Sequence, residues 1–260
     1  MPEPETFTIA GLAGQTSDLS ALSGVIGALG FSEALDDAGA GPFTVFAPNN
    51  NAVEGVLGVL DSLGEDGQRT ILGYHVVPGV VNSVDVVPGA RFDTLAGETL
   101  VIGSDGTLPG GFSVIDADLP ADNGVVHVID GVLTPPSIAL ANLTSSIADL
   151  EGIQFDVNSA TIRPGSFPIL DNAASVINSL PEGTLVEVAG HTDSDGVEAL
   201  NQALSQARAD SVVAYLVGQG VSADVLNPVG FGEADLLIDP EETDADKQRN
   251  RRIEFTEPSS

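Results

Sequence analysis

Residues 184–218 read Thr184-Leu-Val-Glu-Val-Ala-Gly190-His-Thr-Asp193-Ser-Asp-Gly196-Val-Glu-Ala-Leu200-Asn-Gln-Ala-Leu-Ser205-Gln-Ala-Arg208-Ala-Asp-Ser-Val-Val-Ala-Tyr215-Leu-Val-Gly218, and the hydrophobic period changes inside them. The apolar run 184–190 predicts a strand, the polar residues 190–196 a turn, and 197–218 a long helix. At 100° per residue, Leu200, Ala203, Leu204, Ala207, Ser211, Ala214 and Tyr215 share one helix face, the face expected to be buried. Asn201 and Arg208, seven residues apart, nearly eclipse one another on the half-wet flank of that face. The turn delivers Asp193 close to the helix start. Arg208 lies roughly 16 Å further along the axis, and its side chain leans back toward the N-terminus. A carboxylate and a guanidinium so related can face one small zwitterion, Asp193 taking an ammonium and Arg208 a carboxylate in bidentate fashion.

Outward from this stretch the pattern alternates. A strand is expected near 152–158 and a helix near 166–180. After the long helix come a loop carrying Gly230-Phe-Gly232, a helix near 241–250 and a strand from Arg252 to Thr256. That alternation implies an α/β sandwich, helices covering one mixed sheet. Further upstream, Pro135-Pro136 marks a boundary, and Ser137 to Leu150 reads as a linker or a short helix. Before it, Leu19, Leu22, Val25, Ile26 and Leu29 give helical spacing over 17–39, with Ser17 or Asp18 as N-cap. Phe43 to Pro48 is a short β-rich run, helical patches follow at 50–63 and 67–75, and Val76 to Leu133 breaks into short strands. The expected organisation is a unit over 1–137, a linker over 138–149 and a unit over 150–260, α+β as a whole.

Charge excludes several classes. Thirty-eight acids against eight bases leave a net charge of −30, with −16 before residue 138 and −14 after it. No nucleic acid is expected as a partner, because phosphate contacts need clustered cations. Self-repulsion of this size opposes the compact state unless salt screens it, which suits saline surroundings. The melting midpoint is therefore expected to rise with added NaCl; a midpoint that falls overturns this reading. There is no cysteine, and no run approaches the ~18 apolar residues of a membrane span.

Catalysis is not expected. The chain has no Gly-x-Ser-x-Gly elbow, no phosphate-binding glycine loop and no thiol nucleophile, and paired acids carry little weight in so acidic a protein. His75 and His127 are expected as buried structural histidines, and His191 as an orienting or structural one. None has a zinc-like spacing to a carboxylate, so neither metal nor cofactor is expected. Asp193-Ser-Asp-Gly196 lacks the later ligands of a calcium loop.

Six ordered motifs carry a resemblance: Gly190-His-Thr-Asp-Ser-Asp-Gly196, Asn201-Gln-Ala-Leu-Ser205, Arg208-Ala, Val213-Ala-Tyr-Leu216, Gly230-Phe-Gly-Glu233 and Asn250-Arg-Arg-Ile-Glu254. Over about residues 150–257 the chain resembles the peptidoglycan-binding OmpA-like domain. The resemblance implies that Asp193 and Arg208 hold the amino acid centre of diaminopimelate in the stem peptide. Asn201, Thr192, Phe155, Asp156 and Arg251 are implied around them. Leu236-Leu237 and Asp246-Lys247 depart from the family pattern, which touches the rim rather than the central pair. Over about 5–136, Gly41-Pro-Phe-Thr-Val-Phe-Ala-Pro48, Tyr74-His75 and Gly124 to Leu133 resemble the fasciclin (FAS1) domain, a β-sandwich-like wedge with helices that acts in adhesion. Asn49-Asn-Asn-Ala-Val53 departs from that family's aromatic-containing run.

Together the two resemblances imply a non-enzymatic protein of the cell envelope, periplasmic, outer-membrane associated or secreted. It would be tethered to the peptidoglycan stem peptide and would present an adhesive unit to a cell-surface or matrix partner. The alternative is a matrix protein whose second unit serves oligomerisation or partner binding. Such a location implies an export signal on the precursor; Met1-Pro-Glu-Pro-Glu is too acidic for one, so the expectation is a chain from which a leader has been trimmed.

Overall fold

The computed structural model describes residues 7–31, 41–149 and 152–258. The chain divides into two compact units, Met1–Pro135 and Pro136–Ser260. Among the described residues no helix is long and apolar enough to cross a membrane.

The first unit begins with α1 (Ile9–Gln15), which the sequence spacing did not announce; Thr8 caps it by accepting from the Gly11 N–H. A 3₁₀ turn then leads into α2 (Ser20–Ala28), whose Leu22 and Ile26 are buried at helical spacing. The part of the expected helix at 32–39 lies outside the described residues. β1 (Phe43–Pro48) is followed by α3 (Asn50–Ser62), capped by the Asn49 side chain, and α4 (Gly64–Tyr74). The strands are β2 (Val76–Pro78), β3 (Arg91–Asp93), β4 (Thr99–Val101), β5 (Val114–Ala121) and β6 (Gly124–Ile129). Four of them order as β2-β1-β6-β5, with β1 and β6 parallel, and β3 pairs with β4 in a separate ribbon.

Both faces of this sheet are covered, which is why β1 reads as continuously apolar. Val45 and Ala47 point to the helices with Ile9, Leu22, Ile26 and Leu72. Phe46 points the other way, to Tyr74, Leu100, Ile102 and Leu133. Period-two alternation thus assigns each residue to one of two apolar layers. The result is the β-sandwich-like wedge with packed helices.

His75 and His127 are wholly inside this unit. His75 Nδ1 lies 2.8 Å from the Ile71 carbonyl and its Nε2 accepts from the Leu133 N–H at 2.9 Å. His127 Nε2 lies 2.9 Å from the Val81 carbonyl, and its Nδ1 accepts from the Asp118 N–H at 3.2 Å. Each ring therefore bridges two segments of the chain, a structural role. Burial pushes the His75 pKa down to about 4, against the Ile71 hydrogen bond that raises it. The unfolded chain takes up a proton near 6.5 and the folded one does not, so stability is complete above that value and is lost as pH falls toward 4. The gap in unfolding free energy between wild type and His75→Gln should narrow by something on the order of 3 kcal/mol between pH 7 and 4. Denaturant titrations across that range measure it, and a constant gap overturns it.

The second unit starts earlier than expected. The stretch 138–149, expected as a linker, lies in α5 (Pro136–Asp149). Leu140, Leu143 and Ile147 bury at i, i+3 and i+7 in this unit's core, and Thr144 Oγ1 exchanges two hydrogen bonds with the Phe255 backbone. Its Ser- and Asn-rich composition hid that apolar stripe. The strand expected at 152–158 is not formed; a single bridge pairs Phe155 with Ile162 across a tight loop. Then come α6 (Phe167–Ser179), β7 (Val186–His191), α7 (Glu198–Gly218), β8 (Leu226–Gly232), α8 (Asp244–Asn250) and β9 (Ile253–Thr256). The sheet order is β8-β7-β9, with β7 parallel to β8 and antiparallel to β9. Residues 230–232, expected in a loop, therefore end a strand. β8 is an edge strand, so Pro228, which has no N–H to donate, is tolerated in it.

The buried face of α7 also differs from expectation. Asn201, Ser205, Arg208, Ala209, Val212 and Leu216 are buried, while Leu200 is 67% exposed. The cause is the surface beneath. Gly190 and Gly230 offer no side chains, and a Cβ on either would lie 2.4 Å from the α7 backbone, at Ser205 O and Gln206 N respectively. The helix thus meets the sheet backbone to backbone along its small, polar side, which turns Asn201 and Arg208 inward.

Candidate functional site

The site lies where β7 ends. The Thr192 N–H donates to the Gly232 carbonyl at 2.8 Å, which ties the following turn to the end of β8. Asn201, in the first turns of α7, donates from Nδ2 to the Asp193 carbonyl at 3.3 Å, the Asp195 carbonyl at 3.1 Å and Glu233 Oε2 at 2.6 Å. Its amide hydrogens are thus engaged in shaping the turn. The Thr192 hydroxyl is buried and has no hydrogen-bond partner among the described residues.

Arg208 reaches the same place from the next turns of α7. It is 8% exposed, and its Nε donates to the Ser159 carbonyl at 3.1 Å. The guanidinium lies over the Phe155 ring, 5.0 Å from the centroid. Burial and then the like charge of Arg251 push its pKa below the usual value, while Asp193 acts in the opposite sense. No described residue accepts from its two η nitrogens. A desolvated cation with unpaired donors is an anion site in the physical sense.

Asp193 is not idle. Its Oδ2 accepts from Arg251 Nη1, and Arg251 Nη2 donates to Gln248 Oε1 at 2.9 Å. Asp156 is exposed and pairs with Arg163 Nε at 3.3 Å. A cavity of about 510 Å³ is lined by Phe155, Asp156, Thr192, Asp193, Asn201 and Arg208, with Arg251 on its rim side. The tertiary fold therefore gathers every residue singled out from sequence into one space. Ser159, Arg163 and Gln248 were missed. A loop carbonyl and a helix-end glutamine carry no motif, so no sequence signal pointed to them.

Behind the cavity His191 is buried and stacks on Phe231 at 5.2 Å between ring centroids. Neither ring nitrogen makes a well-formed hydrogen bond; Nε2 lies 3.5 Å from Glu254 Oε2, an ion-pair distance. His191, Asp235 and Glu254 bring possible metal-ligand atoms within 4.8 Å of one another. Arg252 already bridges those two carboxylates, at 2.6 Å to Glu254 and 3.5 Å to Asp235. His191, opposed by partial burial and joined by Arg252, holds the Glu254 carboxyl down to about 2. Arg252 thus already engages the two carboxylates that a metal ion would need.

A sandwich-like wedge followed by an α/β sandwich with a polar cavity gives a protein of two units. The fasciclin domain model matches residues 17–135 and the OmpA family model residues 154–251, one domain in each unit and in that order. The first unit is similar to protein sll1483 of Synechocystis, 40% identical over 137 residues, 50% of this chain and 74% of that protein. The second is similar to outer membrane porin F of Pseudomonas fluorescens, 42% identical over 102 residues, 39% of this chain and only 31% of the porin. The solved peptidoglycan-associated lipoprotein from Burkholderia pseudomallei aligns at 26% identity over 40% of this chain and 86% of that one, with a TM-score of 0.37.

Proposed function

We propose that the second unit binds the diaminopimelate of the peptidoglycan stem peptide, so that the chain is anchored non-covalently in the cell envelope. The fasciclin unit then presents an adhesive surface to a cell-surface or matrix partner. The observation that carries this reading is the Arg208 guanidinium, desolvated, with no acceptor at either η nitrogen among the described residues, and lining the same cavity as Asp193. Arg208 and Arg251 together bring two positive charges against the one of Asp193. A ligand carboxylate would pair with the guanidiniums and the ligand ammonium with Asp193. Thr192 Oγ1 gains a partner, the Phe155 ring backs the guanidinium, and Asn201 holds the turn. Asp156, paired with Arg163, lines the same cavity. Nothing in this reading breaks or makes a covalent bond. The outer-membrane relatives of the second unit support the envelope location.

Calorimetric titration with meso-diaminopimelate and sedimentation with purified sacculi test it. Wild type should give heat and co-sediment, and Asp193→Ala should do neither. A wild-type protein silent in both assays overturns the proposal and favours a partner or oligomerisation role for this unit.

A further inference from the structure

We propose that Glu241 is a positioning residue for this site, holding the Asp193 turn in place from outside the cavity; the inference rests on the diaminopimelate reading above. Three consecutive residues of the turn are each tied to the segment 241–251. Asp193 pairs with Arg251, Ser194 with Glu241 and Asp195 with Lys247. These ties are not equivalent. The first is the one that an incoming ammonium contests. The third joins a lysine to a carboxylate whose side chain is 67% exposed, and exposed pairs hold little.

The middle tie is built differently. Glu241 Oε2 accepts from the Ser194 N–H at 3.1 Å and from its hydroxyl at 2.7 Å. Glu241 Oε1 accepts from Asn250 Nδ2 at 2.6 Å. Asn250 is fully buried, accepts from the Leu237 and Ile238 N–H groups at 2.8 and 3.0 Å, and donates to the Ile238 carbonyl at 2.9 Å. One carboxylate thus connects a wholly satisfied, immobile amide to the backbone of the binding turn. Desolvation raises the Glu241 pKa, but the Asn250 and Ser194 hydrogen bonds and the Lys247 charge outweigh it, so the group stays ionised well below neutrality. Glu241 itself does not line the cavity. When the ligand exchanges with Arg251 at Asp193, this connection is what keeps the turn from following.

The test is calorimetric titration of the full chain with meso-diaminopimelate, with melting recorded for each variant. Glu241→Ala should bind about tenfold more weakly while the second unit melts within a few degrees of wild type. Glu241→Gln keeps a carbonyl oxygen and should recover part of the affinity. Ser194→Ala should weaken binding less, and the double variant Ser194→Ala, Glu241→Ala no more than Glu241→Ala alone, because both cut one connection. Glu242→Ala, at the neighbouring exposed position, should bind as wild type. If Glu241→Ala does not fold, Glu241→Gln and Ser194→Ala carry the same comparison. Wild-type-like affinity in Glu241→Ala, or additive losses in the double variant, overturns the positioning role. A wild type that binds nothing sinks the underlying reading instead.

Discussion

Arg208→Ala is expected to weaken diaminopimelate binding by roughly 2 to 5 kcal/mol, the cost of leaving one charge of a desolvated pair without its partner. The opposite expectation holds for stability. In the free protein Arg208 is a buried cation whose charged form is disfavoured by burial and by Arg251, and among the described residues only its Nε finds an acceptor. Removing it costs the contact with Phe155 and the bond to Ser159, about 1 kcal/mol each, but relieves a buried and incompletely compensated charge. Melting should therefore change little while affinity collapses, as expected of a residue kept for binding rather than for folding. Arg208→Lys should recover only part of the loss, since a point charge cannot make both the Ser159 bond and a two-pronged carboxylate contact. Titration calorimetry with parallel melting measures both quantities, and retained affinity in Arg208→Ala sinks the anchor.

Gly230→Ala should have the largest effect on the fold of the second unit. The added Cβ would lie 2.4 Å from Gln206 N and 2.7 Å from its Cα, both backbone atoms that no rotamer change can move. α7 must then lift from β8 as a body, opening the contact that buries Ala209, Val212 and Leu216. Overpacking against backbone costs about 3 kcal/mol or more. For a unit of this size that is about 10 °C in the melting midpoint. The first unit has its own core and should keep its own transition. Scanning calorimetry distinguishes the two, and an unchanged second transition overturns the close-packing account. Binding should fall as well, because Asn201 and Arg208 ride on α7 while Asp193 rides on β7.

The order and type of most elements were legible because their periodicities are local. Phe43–Pro48, the patches that became α3 and α4, the turn after His191 and the length of α7 all follow from spacing, capping and turn chemistry. Asp193 and Arg208 were proposed from charge and helix geometry as well as from ordered motifs, and the other five residues from the motifs alone; all seven line one cavity. Three features were not legible. The sequence leaves α5 open between a linker and a short helix, and places it outside the second unit, because Ser, Thr and Asn outnumber its stripe of Leu140, Leu143 and Ile147. Residues 230–232 were taken for a loop because glycine weakens any strand reading, although here it admits the helix. The inward face of α7 was mistaken because large side chains were assumed to seek the core.

What the sequence by itself determined is the pair of domains, the two-unit plan, the excess of negative charge and the fifteen-residue spacing of Asp193 and Arg208. All of these are properties of composition or of residues in fixed order along one chain. Only the tertiary structure decided which side of α7 faces inward, that Asp193 already holds Arg251, and that Glu241 joins Asn250 to the turn. The first depends on how closely α7 approaches the sheet at Gly190 and Gly230, and the other two on side-chain contacts between the turn and residues 47 to 58 positions further along the chain.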